Sequence, residues 1–86
     1  MAARNVRCRG DEVDLIVIVD GIPVIVEVKT GTADTGIDPA QSFDDRKARA
    51  LRRAGRRLDP PIDRIDLVTV RLDREGADVR WITHVA

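Results

Sequence analysis

The stretch that decides the fold is residues 13–29, which reads VDLIVIV (13–19), Asp20-Gly21 and then IPVIVEVK (22–29). Two runs rich in valine and isoleucine on either side of an Asp-Gly pair are typical of a β-hairpin, because glycine accepts the positive φ of a tight two-residue turn. If the turn has two residues, Val19 pairs with Ile22, and the two numbers of every pair add to 41. The pattern therefore predicts an antiparallel hairpin whose register follows from the numbering.

Local patterns predict the remaining elements. Ser42-Phe43-Asp44-Asp45 fits the [ST]-x-x-[DE] capping pattern of a helix start, and Asp59-Pro60-Pro61 ends the helix near Leu58. The other predicted elements are a strand at 5–9, a loop at 30–41, a helix at 43–58, and strands at 64–72 and 77–85 joined by a hairpin loop. The order β-β-β-α-β-β predicts one domain, 1–86, of the α/β class, with a mixed sheet and one main helix.

Composition excludes several classes of protein. The 86 residues are 43% hydrophobic and 35% charged, and 15 basic residues balance 15 acidic ones, which argues against a uniformly basic nucleic-acid-binding surface. The longest apolar run, 15–19, is too short to cross a membrane, so no membrane partner is expected. One cysteine and one histidine exclude an internal disulfide and a multi-cysteine zinc site. No signal-peptide stretch follows Met1, so we expect a cytoplasmic protein.

The predicted hairpin brings acidic side chains together. Because side chains alternate between the faces of a strand, the register places Asp14 opposite Glu27 and Glu12 opposite Lys29. Two carboxylates directly across from each other repel unless a cation lies between them. Mg²⁺ takes carboxylate oxygens as ligands and keeps several waters, and a lysine beside it can support charge that develops at a phosphate. The residues also allow a simpler interpretation, in which these groups face solvent on an amphipathic hairpin and Glu12 pairs with Lys29.

Two segments of this region match a known family. Residues 7–16 (RCRGDEVDLI) with 26–30 (VEVKT) resemble the YraN-like family of small bacterial proteins. That family is placed in the PD-(D/E)xK, restriction-endonuclease-like superfamily and is similar to Holliday-junction resolvases. Three later pieces match as well: Lys47–Leu51, Asp66-Leu67-Val68 and Val79–Ile82. The resemblance implies a restriction-endonuclease-like sheet, shortened at the N-terminus by a helix that family members usually have.

The resemblance also implies a function and a set of site residues. Asp14 and Glu27 match the metal ligands, for Mg²⁺ or Mn²⁺, and Lys29 matches the catalytic lysine. Glu12 matches a position that either supports the metal site or is structural. The implied function is Mg²⁺-dependent hydrolysis of DNA, including branched DNA. The alternative is a catalytically inactive nucleic-acid-binding or scaffold module of the same fold, which we expect if the absent helix is needed for activity.

The predicted helix carries seven of the fifteen basic residues. At about 100° per residue its six arginines cover an arc of about 140°, while Lys47 falls among the apolar positions that face the sheet. A lysine there needs an anionic neighbour, and the carboxylates are the obvious one, so Lys47 is a candidate supporting residue. The arginine stripe is either a solvated face or a surface for DNA phosphates. The candidate DNA-binding residues are Arg46, Arg49, Arg53 and Arg56.

One face of the predicted hairpin is aliphatic throughout. Its members are Val13, Leu15, Val17, Val19, Ile22, Val24, Val26 and Val28. One helix covers one face of a sheet, so this second face needs a partner. We therefore expect a homodimer through it, with a protein-interaction module as the weaker interpretation.

Overall fold

The computed structural model describes residues 3–8, 11–32, 34 and 36–86. Its elements are β1 Ala3–Cys8, β2 Asp11–Val19, β3 Ile22–Thr32, a 3-10 helix Pro39–Ser42, α1 Asp45–Arg57, β4 Ile65–Asp73 and β5 Gly76–Ile82. The strands form one sheet in the order β1-β2-β3-β4-β5. The β3–β4 pair is parallel, and the other three pairs are antiparallel. The predicted mixed sheet with one main helix, in the order β-β-β-α-β-β, is confirmed.

The central hairpin has the predicted register. Val19 pairs with Ile22, and the pairing continues without a shift to Leu15 and Val26. Asp20 and Gly21 have φ values of 51° and 79°, the two positive values that the mirror-image type I turn requires. The Asp-Gly pair thus sets the alignment of β2 with β3.

β2 does not keep the simple two-residue alternation. Val13 and Ile16 have opposite parity, yet both are buried in the same core cluster. The pairing with β3 stops at Leu15, and the Asp14 carboxylate instead accepts the backbone N–H of Val28 at 3.1 Å. Placing Val13 on the face opposite Ile16 was therefore wrong, because both side chains belong to one core cluster and the two-residue alternation is broken between them, where the Asp14 side chain bonds to β3.

The aliphatic face is also less open than predicted. Val24 and Val26 are 0% and 1% exposed within a single chain. Ile22, at the turn, is 54% exposed. The expectation that all eight side chains need a second chain to cover them is thus wrong for Val13, Val24 and Val26, while the homodimer itself stays a prediction.

The helix begins two residues later than predicted. Ser42 closes the 3-10 helix, where its hydroxyl donates to the Pro39 carbonyl at 2.9 Å. Asp44 is the N-cap of α1, and its carboxylate accepts the N–H of Lys47 at 2.9 Å. Both residue types can cap a helix, and here the extended backbone at Phe43 leaves Asp44 as the residue that does so.

The ends of β3 and β5 differ from the predicted ends because of contacts with other parts of the chain. β3 runs on to Thr32, inside the predicted loop, because it keeps pairing with β4 as far as Leu72. β5 ends at Ile82 rather than at residue 85, and Val85 then donates its N–H to the Ile65 carbonyl at 2.9 Å. Positions 9, 10, 33 and 35, which belong to the predicted first strand and loop or lie beside them, are outside the described residues.

Helix α1 packs on the face of the sheet that carries Ile16, Ile25 and Ile65. Leu51 faces this cluster, and Gly55 allows a closer approach, since a Cβ there would collide with the Ile62 carbonyl oxygen. The same residues are joined by a 3.0 Å hydrogen bond from the Ile62 N–H to the Gly55 carbonyl. The helix is therefore fixed against the sheet beside the two strands that carry the acidic pair. None of the described helices is long and apolar enough to span a bilayer.

Candidate functional site

Asp14 and Glu27 meet where the β2–β3 ladder ends. Asp14 Oδ2 accepts the N–H of Val28, which fixes the Asp14 carboxylate beside β3. Glu27 is 4% exposed and lies in the central strand of the sheet, within hydrogen-bonding reach of Asp14. The predicted approach of these two carboxyl groups is thus present, although a side-chain contact with β3 rather than a continued ladder produces it.

The electrostatics of this pair are unusual. Burial raises the pKa of Glu27 from 4.5 to about 7, and the hydrogen bond and negative charge of Asp14 act in the same direction. The positive charges of Lys47 and Lys29 act against this rise in pKa. Burial and the neighbouring negative charge thus favour the protonated form of Glu27 near neutral pH, and a cation bound at this carboxyl group would compete with that proton.

Two lysines approach the pair from different elements. Lys29 lies two residues after Glu27 in β3, and its Nζ is 3.7 Å from Glu27 Oε1. Lys47 belongs to the first turn of α1, and its charge acts on the same carboxyl group. The helix therefore turns its one lysine toward the acidic pair, as the spacing of its apolar positions predicts.

A hollow of about 360 Å³ opens beside the lysines. Its lining residues are Lys29, Ser42, Asp44, Arg46, Lys47 and Ala50. Three of these six side chains are cationic and one, Asp44, is acidic, so the hollow carries a net positive charge suited to an anionic group and adjoins Glu27 through Lys29. Arg46 thus lies near the candidate site, apart from the other three candidate DNA-binding arginines.

Glu12 lies away from these groups. It is exposed, and its carboxylate is 3.8 Å from the Arg7 guanidinium. Lys29 pairs with Glu27 instead, because β2 leaves the ladder before the position where Glu12 would face Lys29. A supporting role for Glu12 stays a prediction.

The arginine stripe is only partly free. Arg49, Arg52, Arg53 and Arg56 line an open depression of about 330 Å³ on α1. Arg53 also forms a bidentate ion pair with Asp11, in which both N–O distances are 3.0 Å. The Arg57 guanidinium lies 3.6 Å from the same carboxylate. The hydrogen bond from Arg53 holds the pKa of Asp11 below its usual value. Asp11 is 42 positions from Arg53, so no local pattern could reveal this pair.

A second polar network on the other face was also missed. Asp66 is fully buried and accepts four hydrogen bonds. Two come from the Arg64 guanidinium at 3.1 and 2.9 Å, one from Trp81 Nε1 at 2.7 Å and one from the His84 N–H at 3.0 Å. Asp66 is the register partner of Val26, so it points away from the face that carries Glu27. Its contacts tie the end of the chain to β4, and they do not reach the acidic pair.

In the described part of the chain, no group of three or more His, Cys, Asp or Glu side chains converges. The sequence profile of the Uncharacterised protein family UPF0102 matches residues 1–70. The chain belongs to the UPF0102 family. The match covers β1 to β3, α1 and the first part of β4, with Asp14, Glu27, Lys29 and Lys47 all inside it.

Individual UPF0102 proteins support the same assignment. A UPF0102 protein of Mycolicibacterium vanbaalenii is 42% identical over an alignment 89 positions long, which covers 96% of this chain and 72% of that protein. A UPF0102 protein of Mycolicibacterium gilvum is 42% identical over an alignment 91 positions long, with the same coverage of both chains. No solved structure matches the chain significantly. The YraN-like resemblance is thus confirmed, and the mixed sheet is consistent with the restriction-endonuclease-like superfamily.

Proposed function

We propose that this UPF0102 protein is a metal-dependent endonuclease that hydrolyses phosphodiester bonds in DNA. The observation that supports this most is the acidic pair: two carboxyl groups in contact, one of them almost fully buried, with the Lys29 ammonium 3.7 Å away. Such a pair is costly for a fold, because burial and like charge both oppose ionisation. Placing it at the end of a hairpin ladder, beside two lysines, is typical of a site built for a cation and an anion together.

The acidic pair fits Mg²⁺ or Mn²⁺ by its chemistry. Both ions are hard, and Mg²⁺ is commonly held by one or two carboxylates with waters in its other positions. Asp14 and Glu27 would be the ligands, with Val28 keeping the Asp14 carboxylate in place through its 3.1 Å N–H contact. When bound, the ion would supply an activated water and neutralise charge on a phosphate oxygen.

The chain's own groups would then position the substrate. Lys29 has an ammonium close enough to Glu27 to be held in place and is still partly open to the adjoining hollow, with 23% of its side chain exposed. It can therefore donate to a phosphate oxygen or to a water while keeping its carboxylate neighbour. Lys47 and Arg46 line the same hollow and favour the approach of a phosphodiester.

Cleavage of supercoiled and four-way-junction DNA tests this proposal. We expect cutting with Mg²⁺ or Mn²⁺ at low salt, none with a chelator, and a loss of about 10²-fold or more in rate for Lys29→Ala. Arg74→Ala, at an exposed turn of the sheet edge, is the matched control for loss of a positive charge and should cut normally. Cutting that is unaffected by Lys29→Ala, or none by the unaltered protein on either substrate, would overturn the proposal.

The alternative is DNA binding without cleavage. The exposed arginines around the depression on α1 favour it, because they present donors for backbone phosphates at some distance from the acidic pair. It predicts binding that weakens steeply with salt and is unchanged by Glu27→Gln. Salt-dependent binding with no cutting under any metal condition would select this alternative.

The predicted homodimer and cytoplasmic location belong to the same proposal. Two copies would bring two acidic pairs to the two strands of a duplex, and DNA and Mg²⁺ are both available in the cytoplasm. Light scattering across a concentration series tests whether the protein forms the homodimer. A monomer at every concentration would contradict the predicted homodimer without affecting the proposed site, which lies within one chain.

A further inference from the structure

We infer a second phosphate-binding site on the same face of the sheet, between strands β4 and β5 and the 3-10 helix. Lys29 is in register with Thr69 of β4, and Thr69 is in register with Arg80 of β5. One row further on, Arg71 of β4 is the partner of Asp78. Side chains of register partners point to the same face, so Thr69, Arg71 and Arg80 share the face of Lys29.

These residues surround a small cleft of about 100 Å³. Its lining residues are Asp38, Pro39, Thr69, Arg71, Asp78 and Arg80. A water molecule takes about 30 Å³ in the liquid, so the cleft has room for a tetrahedral oxyanion. It is much smaller than a typical small-molecule pocket, which has a volume of about 300 Å³ or more. Pro39 forms one wall and is held close to the sheet, since it lies 2.9 Å from the position that a Cβ on Gly31 would take.

Arg71 supplies the decisive observation. Its Nε is buried, and among the described residues it has no hydrogen-bond partner. A buried donor without an acceptor costs about 1–3 kcal/mol, and more when the group is charged, so such groups in native proteins usually have a water or a ligand as partner. The guanidinium has a planar set of N–H donors that matches the oxygens of a phosphate.

The other polar groups of the cleft are already engaged or loosely held. The Asp38 carboxylate caps the 3-10 helix by accepting the Ala40 N–H at 3.0 Å. Asp78 and Arg80 are 3.7 Å apart with most of both side chains exposed, and such surface pairs contribute little energy. Arg80 can therefore turn toward an anion at small cost. Thr69, which is 4% exposed, offers a hydroxyl donor from the floor of the cleft.

The position of the cleft identifies the phosphate as a backbone phosphate. Neighbouring strands are about 4.8 Å apart, so Arg80 lies roughly 10 Å along the sheet from Lys29. This is the part of the inference that rests on the proposed function: a nucleic-acid strand whose reacting phosphate lies at Lys29 would pass a second phosphate over this cleft. Free inorganic phosphate has the same chemistry and is the other source to be distinguished.

The test is an NMR titration of ¹⁵N-labelled protein that follows the arginine Nε–H signals. The Arg71 signal is identified as the one that Arg71→Gln removes. We expect it to shift in a saturable way with inorganic phosphate and also with a short single-stranded oligonucleotide. Arg80→Gln, at an exposed position, should weaken both shifts without affecting folding, whereas Arg74→Gln should leave them unchanged. An Arg71 signal that neither ligand moves would overturn the inference.

A binding series with the oligonucleotide separates the two sources. Loss of one phosphate contact should lower the slope of log K against log salt by about 0.7 in Arg71→Gln, and Arg80→Gln should act in the same direction. A shift with inorganic phosphate alone would support the site with free phosphate as its ligand and overturn the backbone assignment. None of these measurements requires cutting, so a failed nuclease assay leaves them unaffected. Conversely, cutting with an unmoved Arg71 signal would overturn this site alone.

Discussion

Replacing Glu27 with glutamine should stabilise the metal-free protein in mildly alkaline solution. Glu27 is almost fully buried, and burial with the nearby Asp14 carboxylate raises its pKa from 4.5 to about 7. Because the folded pKa lies above the unfolded one, the folded state keeps a proton between pH 4.5 and 7 that the unfolded chain has released. Stability therefore falls as the pH rises through this window, and the full loss is present above about pH 7.

The size of the effect follows from the two pKa values. A difference of one in pKa corresponds to about 1.4 kcal/mol, so the change from 4.5 to about 7 corresponds to about 3 kcal/mol. Glutamine resembles the protonated glutamic acid in size and can donate to the Asp14 carboxylate. We therefore expect the free energy of unfolding of Glu27→Gln to exceed that of the unaltered protein by about 2–3 kcal/mol at pH 8. Near pH 4.5 the two values should differ little. In a domain of this size the difference at pH 8 corresponds to a rise of roughly 10–20 °C in Tm.

Urea unfolding followed by the fluorescence of Trp81, the one tryptophan of the chain, measures this difference. The titrations are run with a chelator at several pH values between 4.5 and 8. Glu12→Gln removes an exposed carboxylate and is the matched control, with an expected change below about 0.5 kcal/mol. Adding Mg²⁺ at pH 8 should stabilise the unaltered protein and leave Glu27→Gln unchanged, since binding to the folded state alone adds to its stability.

Two results would refute this reasoning. One is equal stability of Glu27→Gln and the unaltered protein at pH 8, which would mean that the Glu27 carboxyl is not destabilised by burial. The other is a gain in stability that has the same size at every pH, since a glutamine that simply packs better would act without regard to protonation.

Three further predictions concern the sheet, the helix and the arginine stripe. Asp66→Asn should destabilise the fold by about 3 kcal/mol in urea unfolding, because it disrupts a fully buried carboxylate with four hydrogen bonds. Gly55→Ala should lower the Tm by several degrees despite a helix-propensity gain of about 1 kcal/mol, because the added Cβ meets the Ile62 carbonyl. Asp11→Asn should tighten DNA binding several-fold in fluorescence anisotropy, because it frees Arg53 from its ion pair. The slope of log K against log salt concentration should become steeper by about one.

Each of these predictions has a control on the same chain. Asp78→Asn alters an exposed aspartate and should leave the unfolding midpoint nearly unchanged. Arg52→Ala, on the exposed face of α1, should not lower the Tm as Gly55→Ala does. Asp63→Asn removes the same charge as Asp11→Asn, at an exposed position, and should change the DNA affinity less. An Asp11→Asn variant that binds no better than Asp63→Asn would contradict a role for the freed arginine.

The central hairpin and the acidic pair could be predicted from sequence because their determinants are local. Asp20 and Gly21 fix the turn, and the turn fixes the register as far as Leu15 and Val26. The loss of two-residue alternation at Asp14 could not be predicted in the same way. It depends on a side-chain oxygen replacing a backbone acceptor, and the alternation of polar and apolar residues carries no sign of that exchange.

The parallel register between β3 and β4 was beyond local patterns for another reason. A hairpin turn fixes antiparallel register, whereas a crossover through a helix leaves it to packing. Thr69 could therefore not be placed beside Lys29 from the numbering, and the cleft at Arg71 had no sequence signal. The pairing of Asp11 with Arg53 likewise depends on where α1 settles on the sheet. Most of the contacts in the described part of the chain that escaped prediction join residues distant in sequence, although Arg64 and Asp66 are only two positions apart.

The hairpin that carries Asp14 and Glu27 has a consequence for the order in which the protein folds. These two residues are 13 positions apart and meet across a two-residue turn, whereas Ile25 and Ile65 are 40 positions apart and meet only after α1 is in place. Short loops close faster than long ones, so the hairpin is expected to form first. During that interval the acidic pair exists without Lys47, and protons or divalent cations from solution are its only counter-charge besides Lys29. Refolding should therefore be faster in mildly acidic buffer or with Mg²⁺, at the step in which the hairpin forms.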